Sequence, residues 1–182
     1  MKRLAPLVGI TFLLSISLAC APKPLPPPEF TYGKSAIRLQ FKADKDLNLY
    51  QGASHTLLLC VYQLRDPNAF NQLLGDEDGL YKLLECGSFD PSVTNVKRLI
   101  VQPGQEVSFA LDRAEGTRYV GLVAGYSIMK KENMIRLLEI PIVIEKKGFI
   151  RTTKTQKPGL LDVTIYLGAQ GIKQATTQEK KK

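Results

Sequence analysis

The sequence predicts a mainly β protein, a sandwich of two sheets that carries a short helical insertion. Three observations lead to this fold class. About seven segments between residues 36 and 167 either alternate apolar and polar side chains or are apolar over the length of a strand. Turn-forming residues separate these segments, as in the Pro-Gly pair at 103–104. After the second segment, apolar residues recur instead at helical spacing, which predicts the helical insertion. Several short strands separated by turns are typical of a β-sandwich.

The strand candidates follow one another along most of the chain. In order, they are the segments AIRLQFKAD, TLLLCVYQL, VKRLIVQ, QEVSFALD, RYVGLVAGY, MIRLLEIPIVIEKK and LLDVTIYL. The second is strongly apolar and is expected at a central position in its sheet. Gly121 and Gly125 in the fifth segment predict close packing or a bulge. Pro141 interrupts the sixth and longest segment and predicts a sheet edge or a bulge there.

The helical insertion is expected at about residues 66–86. Asp66 suits the N-cap position of a helix, and Pro67 suits its first helical position. Apolar residues at helical spacing predict two short helices. The first contains Phe70, Leu73 and Leu74, and the second contains Leu80, Leu83 and Leu84. The acidic segment Asp76 to Asp78 lies between the helices. It lacks the alternating ligands of a calcium loop and is interpreted as a solvated turn.

The amino-terminal segment has the pattern of an export signal. Lys2 and Arg3 precede an apolar run that ends at Ala19, which predicts a signal peptide over residues 1–19. This run is interrupted and is shorter than the ~20 consecutive apolar residues that a membrane-spanning helix needs.

Cys20 follows the expected cleavage site and is the candidate for lipidation. Cleavage after Ala19 would leave Cys20 at the new amino terminus, followed by a Pro-rich tether over residues 20–34. Because a stiff spacer suits an anchored protein, we expect acyl chains on Cys20. The alternative is an ordinary secreted chain with a free thiol, since Ser17 and Ala19 also fit the small-x-small pattern of secretion.

Charge and cysteine usage narrow the functional classes. The chain has 25 basic and 17 acidic residues, and part of the excess lies in residues 171–182, which are predicted to be a disordered basic tail. Basic residues do not cluster with aromatic ones on one face, so a nucleic-acid partner is not expected. Cys60 and Cys86 are either bonded, as an oxidising compartment allows, or two independent buried thiols. The sequence leaves both possibilities open.

Catalytic and metal-binding patterns are not evident in the sequence. His55 is the single histidine, and a catalytic histidine needs a nucleophile or an orienting carboxylate beside it. There is no CxxC motif, nucleophile elbow, P-loop or HExxH motif. We therefore expect no enzyme, no cofactor and no metal site, and a function based on binding.

The loop from Ala43 to His55 is the predicted partner-binding surface. It is far longer than the two to five residues that join most hairpin strands, and long loops on rigid sandwiches commonly carry binding. The candidate contact residues are Leu47, Asn48, Leu49, Tyr50, Gln51 and Gly52. Tyrosine is enriched at interface hot spots. The alternative is that Leu47 and Leu49 only fix the loop to the sandwich.

The order of these features resembles the TssJ family, the outer-membrane lipoproteins of the bacterial type VI secretion system. The matching segments are the export signal with Cys20, ADKDLNLYQGASHTLLLCVYQLRDPNAF after the first strand, the Pro-Gly pair, and RYVGLVAGY. The sequence departs from the family at three places. Cys60 lies where the family usually has arginine, and Ile135-Arg136 lies where a tryptophan-arginine pair is common. The lipobox is irregular, because Ser17 replaces the usual leucine three residues before Cys20.

The resemblance implies a transthyretin-like sandwich over residues 35–170, held at the outer membrane by acyl chains on Cys20 and facing the periplasm. It implies binding to the periplasmic C-terminal region of TssM, an inner-membrane protein, through the loop from Ala43 to His55. It also implies that there is neither catalysis nor a cofactor. A function of another class, a periplasmic transthyretin-like lipoprotein that binds a small ligand or another envelope protein, requires an apolar pocket with a few polar groups.

Overall fold

Two four-stranded sheets face each other in the computed structural model, which describes residues 24–148 and 152–177. The strands are β1 (Gly33–Ala43), β2 (Leu57–Leu64), β3 (Val93–Val101), β4 (Glu106–Arg113), β5 (Tyr119–Gly125), β6 (Ile135–Glu139), β7 (Ile142–Lys147), β8 (Thr153–Pro158), β9 (Leu161–Leu167) and β10 (Ile172–Thr177). One sheet has the order β10-β9-β1-β4 and the other β3-β2-β5-β6, while β7 and β8 form a separate two-stranded ribbon. The predicted two-sheet β-sandwich is confirmed.

Strand β1 lies at the centre of the first sheet and supplies its core face. It pairs antiparallel with β4 and parallel with β9. The predicted alternation holds, because Ile37, Leu39 and Phe41 are all buried. Val163 and Ile165 of β9 are buried on the same face, opposite Leu39 and Phe41 in the register. Burying each such side chain stabilises the fold by about 1.5–3 kcal/mol.

Strand β2 is buried on both faces, which explains its almost unbroken apolar sequence. Leu59 and Val61 face the first sheet, and Tyr62 faces the helical layer. The Tyr62 hydroxyl donates a hydrogen bond to the carbonyl oxygen of Leu83 at 2.6 Å. Burial raises the pKa of Tyr62 to about 12, so the hydroxyl keeps its proton and remains a donor at neutral pH.

The helical layer consists of α1 (Asn68–Leu73) and α2 (Glu77–Leu84), as the insertion at 66–86 predicted. The start of α1 is shifted by one residue. Pro67 occupies the N-cap position instead of the first helical position, while Asp66 accepts a hydrogen bond from the Asn68 backbone N–H at 3.1 Å. The turn between the helices has a structural role, since Asp76 caps α2 by accepting from the Gly79 N–H at 2.6 Å.

Gly121 and Gly125 allow the helices to approach β5 closely. A Cβ atom on Gly121 would lie 2.9 Å from ring carbons of Phe70, and one on Gly125 would lie 3.3 Å from Leu84. Phe70 is fully buried. Of the two explanations that the sequence offered, close packing is therefore the correct one, and the register of β5 against β2 has no bulge.

The longest predicted strand is in fact two strands. Strand β6 ends at Glu139, and β7 begins at Ile142. Pro141 lies between them, and proline cannot donate the N–H that would continue the ladder. Strand β6 is an edge strand, as the proline indicated, but the chain then leaves the sheet and pairs β7 with β8. Strand β8 was not predicted, because its sequence TKTQKP has no apolar alternation. A further short helix, α3 (Lys131–Met134), precedes β6.

Strand β10 corrects the prediction of a disordered tail at 171–182. Residues Ile172–Thr177 pair antiparallel with β9, and Ile172 is buried. An edge strand needs only the free backbone groups of its neighbour, so a largely polar sequence can form one. The predicted domain of 35–170 therefore extends to 33–177, while residues 178–182 lie outside the described residues.

The predicted tether of residues 20–34 docks onto the sandwich before β1 begins, which shortens its free part. The Phe30 carbonyl oxygen accepts a hydrogen bond from the Gly116 N–H at 2.6 Å. The Thr31 carbonyl accepts from the Arg113 guanidinium at 3.1 Å. The end of the sandwich where these contacts lie is called the tether end below.

A buried glutamine joins the two sheets near the tether end. Gln63 of β2 is 2% exposed. Its amide nitrogen donates to the carbonyl of Asp112 at 2.9 Å. Its amide oxygen accepts from the Ala114 N–H at 2.9 Å and from the Thr117 hydroxyl at 3.1 Å. One side chain thus satisfies three groups that are far away in sequence.

We expect Gln63→Leu to lower the free energy of unfolding by about 2–4 kcal/mol, because it removes three hydrogen bonds at once. The Asp112 carbonyl and the Ala114 N–H lose their side-chain partner, and the buried Thr117 hydroxyl keeps only Thr94. Urea denaturation followed by circular dichroism measures this change. Gln72→Leu, on the exposed face of α1, is the matched control and should change stability by less than about 0.5 kcal/mol. Equal stability of both variants would contradict the role assigned to Gln63.

Candidate partner-binding site

Four connections meet at the end of the sandwich opposite the tether end, and this region is called the loop end below. They are residues 44–56, 102–105, 126–130 and 168–171. Backbone hydrogen bonds join them. The Gly104 N–H donates to the carbonyl of Asp44 at 2.8 Å, and the Leu49 N–H donates to the carbonyl of Ala169 at 2.8 Å. The long loop predicted to bind a partner is therefore held by its neighbours.

Leu47 and Asn48 anchor this loop, and they correct the predicted contact set. Leu47 is fully buried in the core, and Asn48 is 5% exposed. The Asn48 amide nitrogen donates to the carbonyl of Thr56 at 3.0 Å, and its amide oxygen accepts from the Ser127 N–H at 2.7 Å. Neither side chain is accessible to a partner, because both are used to fix the loop. For Leu47 the alternative interpretation is correct.

The residues after Asn48 form a tight turn at the surface. Tyr50 and Ala53 exchange two backbone hydrogen bonds, of 2.9 and 3.0 Å. Gln51 and Gly52 between them both have positive φ, +49° and +79°, as in a type I′ hairpin turn. All four residues are exposed, whereas Leu49 is half-buried. The exposed part of the predicted set is therefore Tyr50, Gln51 and Gly52, and we call residues 50–53 the tip.

The tip has a defined conformation, which one aromatic contact supports and which includes one strained residue. The Tyr50 ring lies against the exposed ring of His55, with 6.5 Å between the centroids and a tilt of 55°, within the range of favourable aromatic pairs. Gln51 adopts the left-handed region, which is uncommon for a residue other than glycine and costs on the order of 1 kcal/mol. Strained exposed residues cluster at functional sites. His55 thus supports Tyr50, a contact that the sequence analysis did not predict.

Two charged side chains connect the start of β10 to other elements of the loop end. Lys173 of β10 forms an ion pair with Asp44, and both are substantially exposed, so the pair contributes at most about 1 kcal/mol. Arg136 donates from Nη1 to the carbonyls of Glu132 and Ile135, and from Nη2 to the carbonyl of Ile172. The arginine of the Ile135-Arg136 pair therefore fastens β6 to the start of β10.

The cysteines lie away from the loop end or outside the described residues. Cys60 on the outer face of β2 and Cys86 after α2 form a disulfide, with Cα atoms 5.2 Å apart. This bond fastens the helical layer to the sheet and has no contact with the tip. Cys20 and the predicted signal peptide fall outside the described residues, so the lipidation stays a prediction.

Three further features of the described residues concern a small-ligand pocket, a metal site and a membrane-spanning helix. A cavity of about 610 Å³ at the tether end is lined by Phe30 and by the charged side chains of Arg65, Glu115 and Arg118, among others. This lining differs from the apolar pocket that a small-ligand carrier needs. Within residues 24–148 and 152–177, no group of three or more potential metal ligands comes together. In the same ranges, no helix is both long enough and apolar enough to cross a membrane.

Comparison with protein families gives one match. The sequence model of the family described as type VI secretion lipoprotein (VasD, EvfM, TssJ) matches residues 35–155. No curated protein sequence matches the chain.

Several solved structures share the fold, including the following three. The crystal structure of the T6SS lipoprotein TssJ1 from Pseudomonas aeruginosa superposes with a TM-score of 0.61 at 22% identity, covering 85% of this chain and 100% of that one. Serratia marcescens Lip, a membrane-bound component of the type VI secretion system, gives 0.52 at 18% identity, with 79% and 96% covered. A chain in the structure of the T6SS TssM C-terminal domain from EAEC gives 0.54 at 15% identity, with 79% and 97% covered. At these identities the similarity establishes the fold alone.

Proposed function

Because the chain belongs to the family of type VI secretion lipoproteins that includes TssJ, we propose that it is anchored in the outer membrane and binds the periplasmic C-terminal region of TssM. Members of this family are structural lipoproteins of a secretion complex, so the chain is not an enzyme. In this proposal, acyl chains on Cys20 hold the sandwich at the outer membrane, and the loop end holds TssM, a protein of the inner membrane.

The observation that carries the proposal is the exposed, hydrogen-bonded tip at the end of the sandwich opposite the tether. Strand β1 connects the two ends and contains 11 residues. At about 3.3 Å per residue, it separates the tether end from the loop end by about 35 Å. An acylated Cys20 therefore leaves the tip directed away from the outer membrane, towards the side from which an inner-membrane protein approaches.

The chemistry of the tip suits a protein partner. Tyr50 is 43% exposed and offers a large apolar ring with a polar hydroxyl. Its contact with His55 and the turn that follows restrict its conformations before binding, which reduces the entropy lost on association. Met129 is also exposed, two residues after Ser127, which the loop holds through Asn48. The partner surface thus combines the tip with the neighbouring connection at 126–130.

We expect Tyr50→Ala together with Gln51→Ala to weaken TssM binding at least about thirtyfold, which is about 2 kcal/mol and typical of a hot spot. The experiment uses the mature chain with Cys20→Ser, to keep it soluble, and the TssM periplasmic domain, and calorimetry measures the affinity. Leu47 and Asn48 are left unchanged, because altering them would disturb the loop itself.

Tyr32→Ala provides the matched control. Tyr32 is an exposed tyrosine next to Thr31 at the tether end, and its removal should change the affinity less than about twofold. Equal melting temperatures of all variants show that the fold is retained. A folded tip variant that binds TssM with full affinity would place the interface elsewhere, and the edge strand β6 near Pro141 is the next candidate.

A further inference from the structure

The β7–β8 ribbon leaves the sandwich with both of its faces exposed. These two strands pair with each other and with no other described strand. Ile142, Val143 and Ile144 follow one another in sequence, and they are 46%, 40% and 59% exposed. An isolated two-stranded ribbon is only marginally stable in water. Adjacent exposed apolar side chains indicate a contact surface.

The ribbon is also strongly basic. Strands β7 and β8 carry four lysines and a single glutamate. Lys147 and Lys157 both lie near Glu145, at 3.7 and 3.0 Å. Lys146 and Lys154 lie directly opposite each other in the register, and within the described residues neither forms an ion pair. Like charges in opposite positions repel, and an anionic surface in front of them would relieve this repulsion.

The ribbon begins beside the point where the tether joins the sandwich. Arg113, which is 5% exposed, donates from Nη2 to the Thr31 carbonyl at 3.1 Å and from Nη1 to the Gly159 carbonyl at 3.3 Å. One guanidinium therefore connects the end of the tether to the base of β8. Eight residues separate Cys20 from Glu29, and a polyproline spacer of eight residues spans about 25 Å. The six-residue strands of the ribbon extend about 20 Å. A membrane that holds Cys20 is thus within reach of the ribbon.

From these observations we propose that the β7–β8 ribbon binds the anionic phospholipid surface of the membrane in which the chain is anchored. The lysines contact phosphate groups, and Ile142 and Ile144 enter the interface between headgroups and acyl chains. The orientation rests on the proposed anchoring at Cys20, whereas the affinity of the ribbon for lipid does not. A second copy of the chain is a poorer occupant, because lysines along the ribbon repel an identical ribbon.

The test uses the mature chain with Cys20→Ser, which carries no acyl chain, and vesicles of phosphatidylcholine with or without phosphatidylglycerol. Cosedimentation should detect binding to the anionic vesicles that decreases as salt is added. We expect Lys146→Glu together with Lys154→Glu to weaken this binding at least about tenfold. We expect Ile142→Ser together with Ile144→Ser to weaken it by a similar factor, on the order of tenfold. Lys82→Glu together with Lys97→Glu, two exposed lysines elsewhere, should have less than about a twofold effect.

Three results would overturn the proposal. They are equal binding to both kinds of vesicle, no binding to anionic vesicles, and unchanged binding by both ribbon variants. A concentration-dependent dimer that the ribbon variants abolish, measured by analytical ultracentrifugation, would instead assign the surface to a second copy. Because the tested chain lacks the acyl group, failure here leaves the proposed anchor untouched, and mass spectrometry of Cys20 tests that anchor separately.

Discussion

Cys20→Ser is expected to move the protein from the membrane fraction to the soluble fraction of the cell envelope. Acyl chains contribute about 0.8 kcal/mol for each buried CH₂ group, and two or more chains give stable anchoring. The Pro-rich segment that follows Cys20 has no comparable affinity for lipid. Fractionation followed by immunoblotting measures the change, after a wash at high salt that removes weaker electrostatic contacts with the membrane surface.

Ala21→Ser, next to the proposed anchor, is the matched control and should stay with the membrane. Mass spectrometry of the mature amino terminus identifies the modification directly. An unmodified Cys20 in the wild-type protein would contradict the anchor. Retention of the Cys20→Ser variant in the washed membrane fraction would likewise show that something other than lipid on this residue holds the protein.

The second large effect is expected at the Cys60–Cys86 disulfide, whose reduction should lower the free energy of unfolding by about 3–4 kcal/mol. The bonded residues are 26 positions apart, and a loop of this length gives about that value in the chain-entropy model. The bond also fixes the end of α2 to β2, so its loss frees the helical layer. Urea denaturation of the soluble chain with Cys20→Ser, with and without reductant, measures the difference.

A variant with Cys60→Ala and Cys86→Ala serves as the control, because reductant should not change its stability. Thiol titration of the unfolded, unreduced chain should detect no free thiol once Cys20 has been replaced. Two free thiols per chain would show that the bond does not form in the isolated protein. An oxidised chain that loses no stability on reduction would show that the bond contributes nothing.

Much of the fold follows from local sequence patterns. The alternation of Ile37, Leu39 and Phe41 predicts β1, and the apolar run of β2 reflects burial on both of its faces. Helical spacing predicts the insertion, although its first helix begins at Asn68. These predictions succeed because the period of the side chains depends on the backbone geometry of each element alone.

The strands that the sequence did not predict are those whose formation depends on a neighbour. Strand β10 is largely polar and forms because β9 offers it free backbone groups. Strand β8 pairs with β7, which begins after Pro141, where the ladder of β6 has ended. Neither segment has the apolar period that identifies a half-buried strand.

For the candidate site, the sequence alone identified the loop, its length and its exposed tyrosine. Only the tertiary structure separated the anchor from the tip. Asn48 is buried because its amide bonds to Ser127, 79 positions away, and Leu47 fills a core built by distant strands. Likewise, Arg113 connects Thr31 to Gly159 across the tether end. Local patterns specify backbone periodicity, whereas burial and hydrogen-bond partners depend on contacts that form only when distant segments pack together.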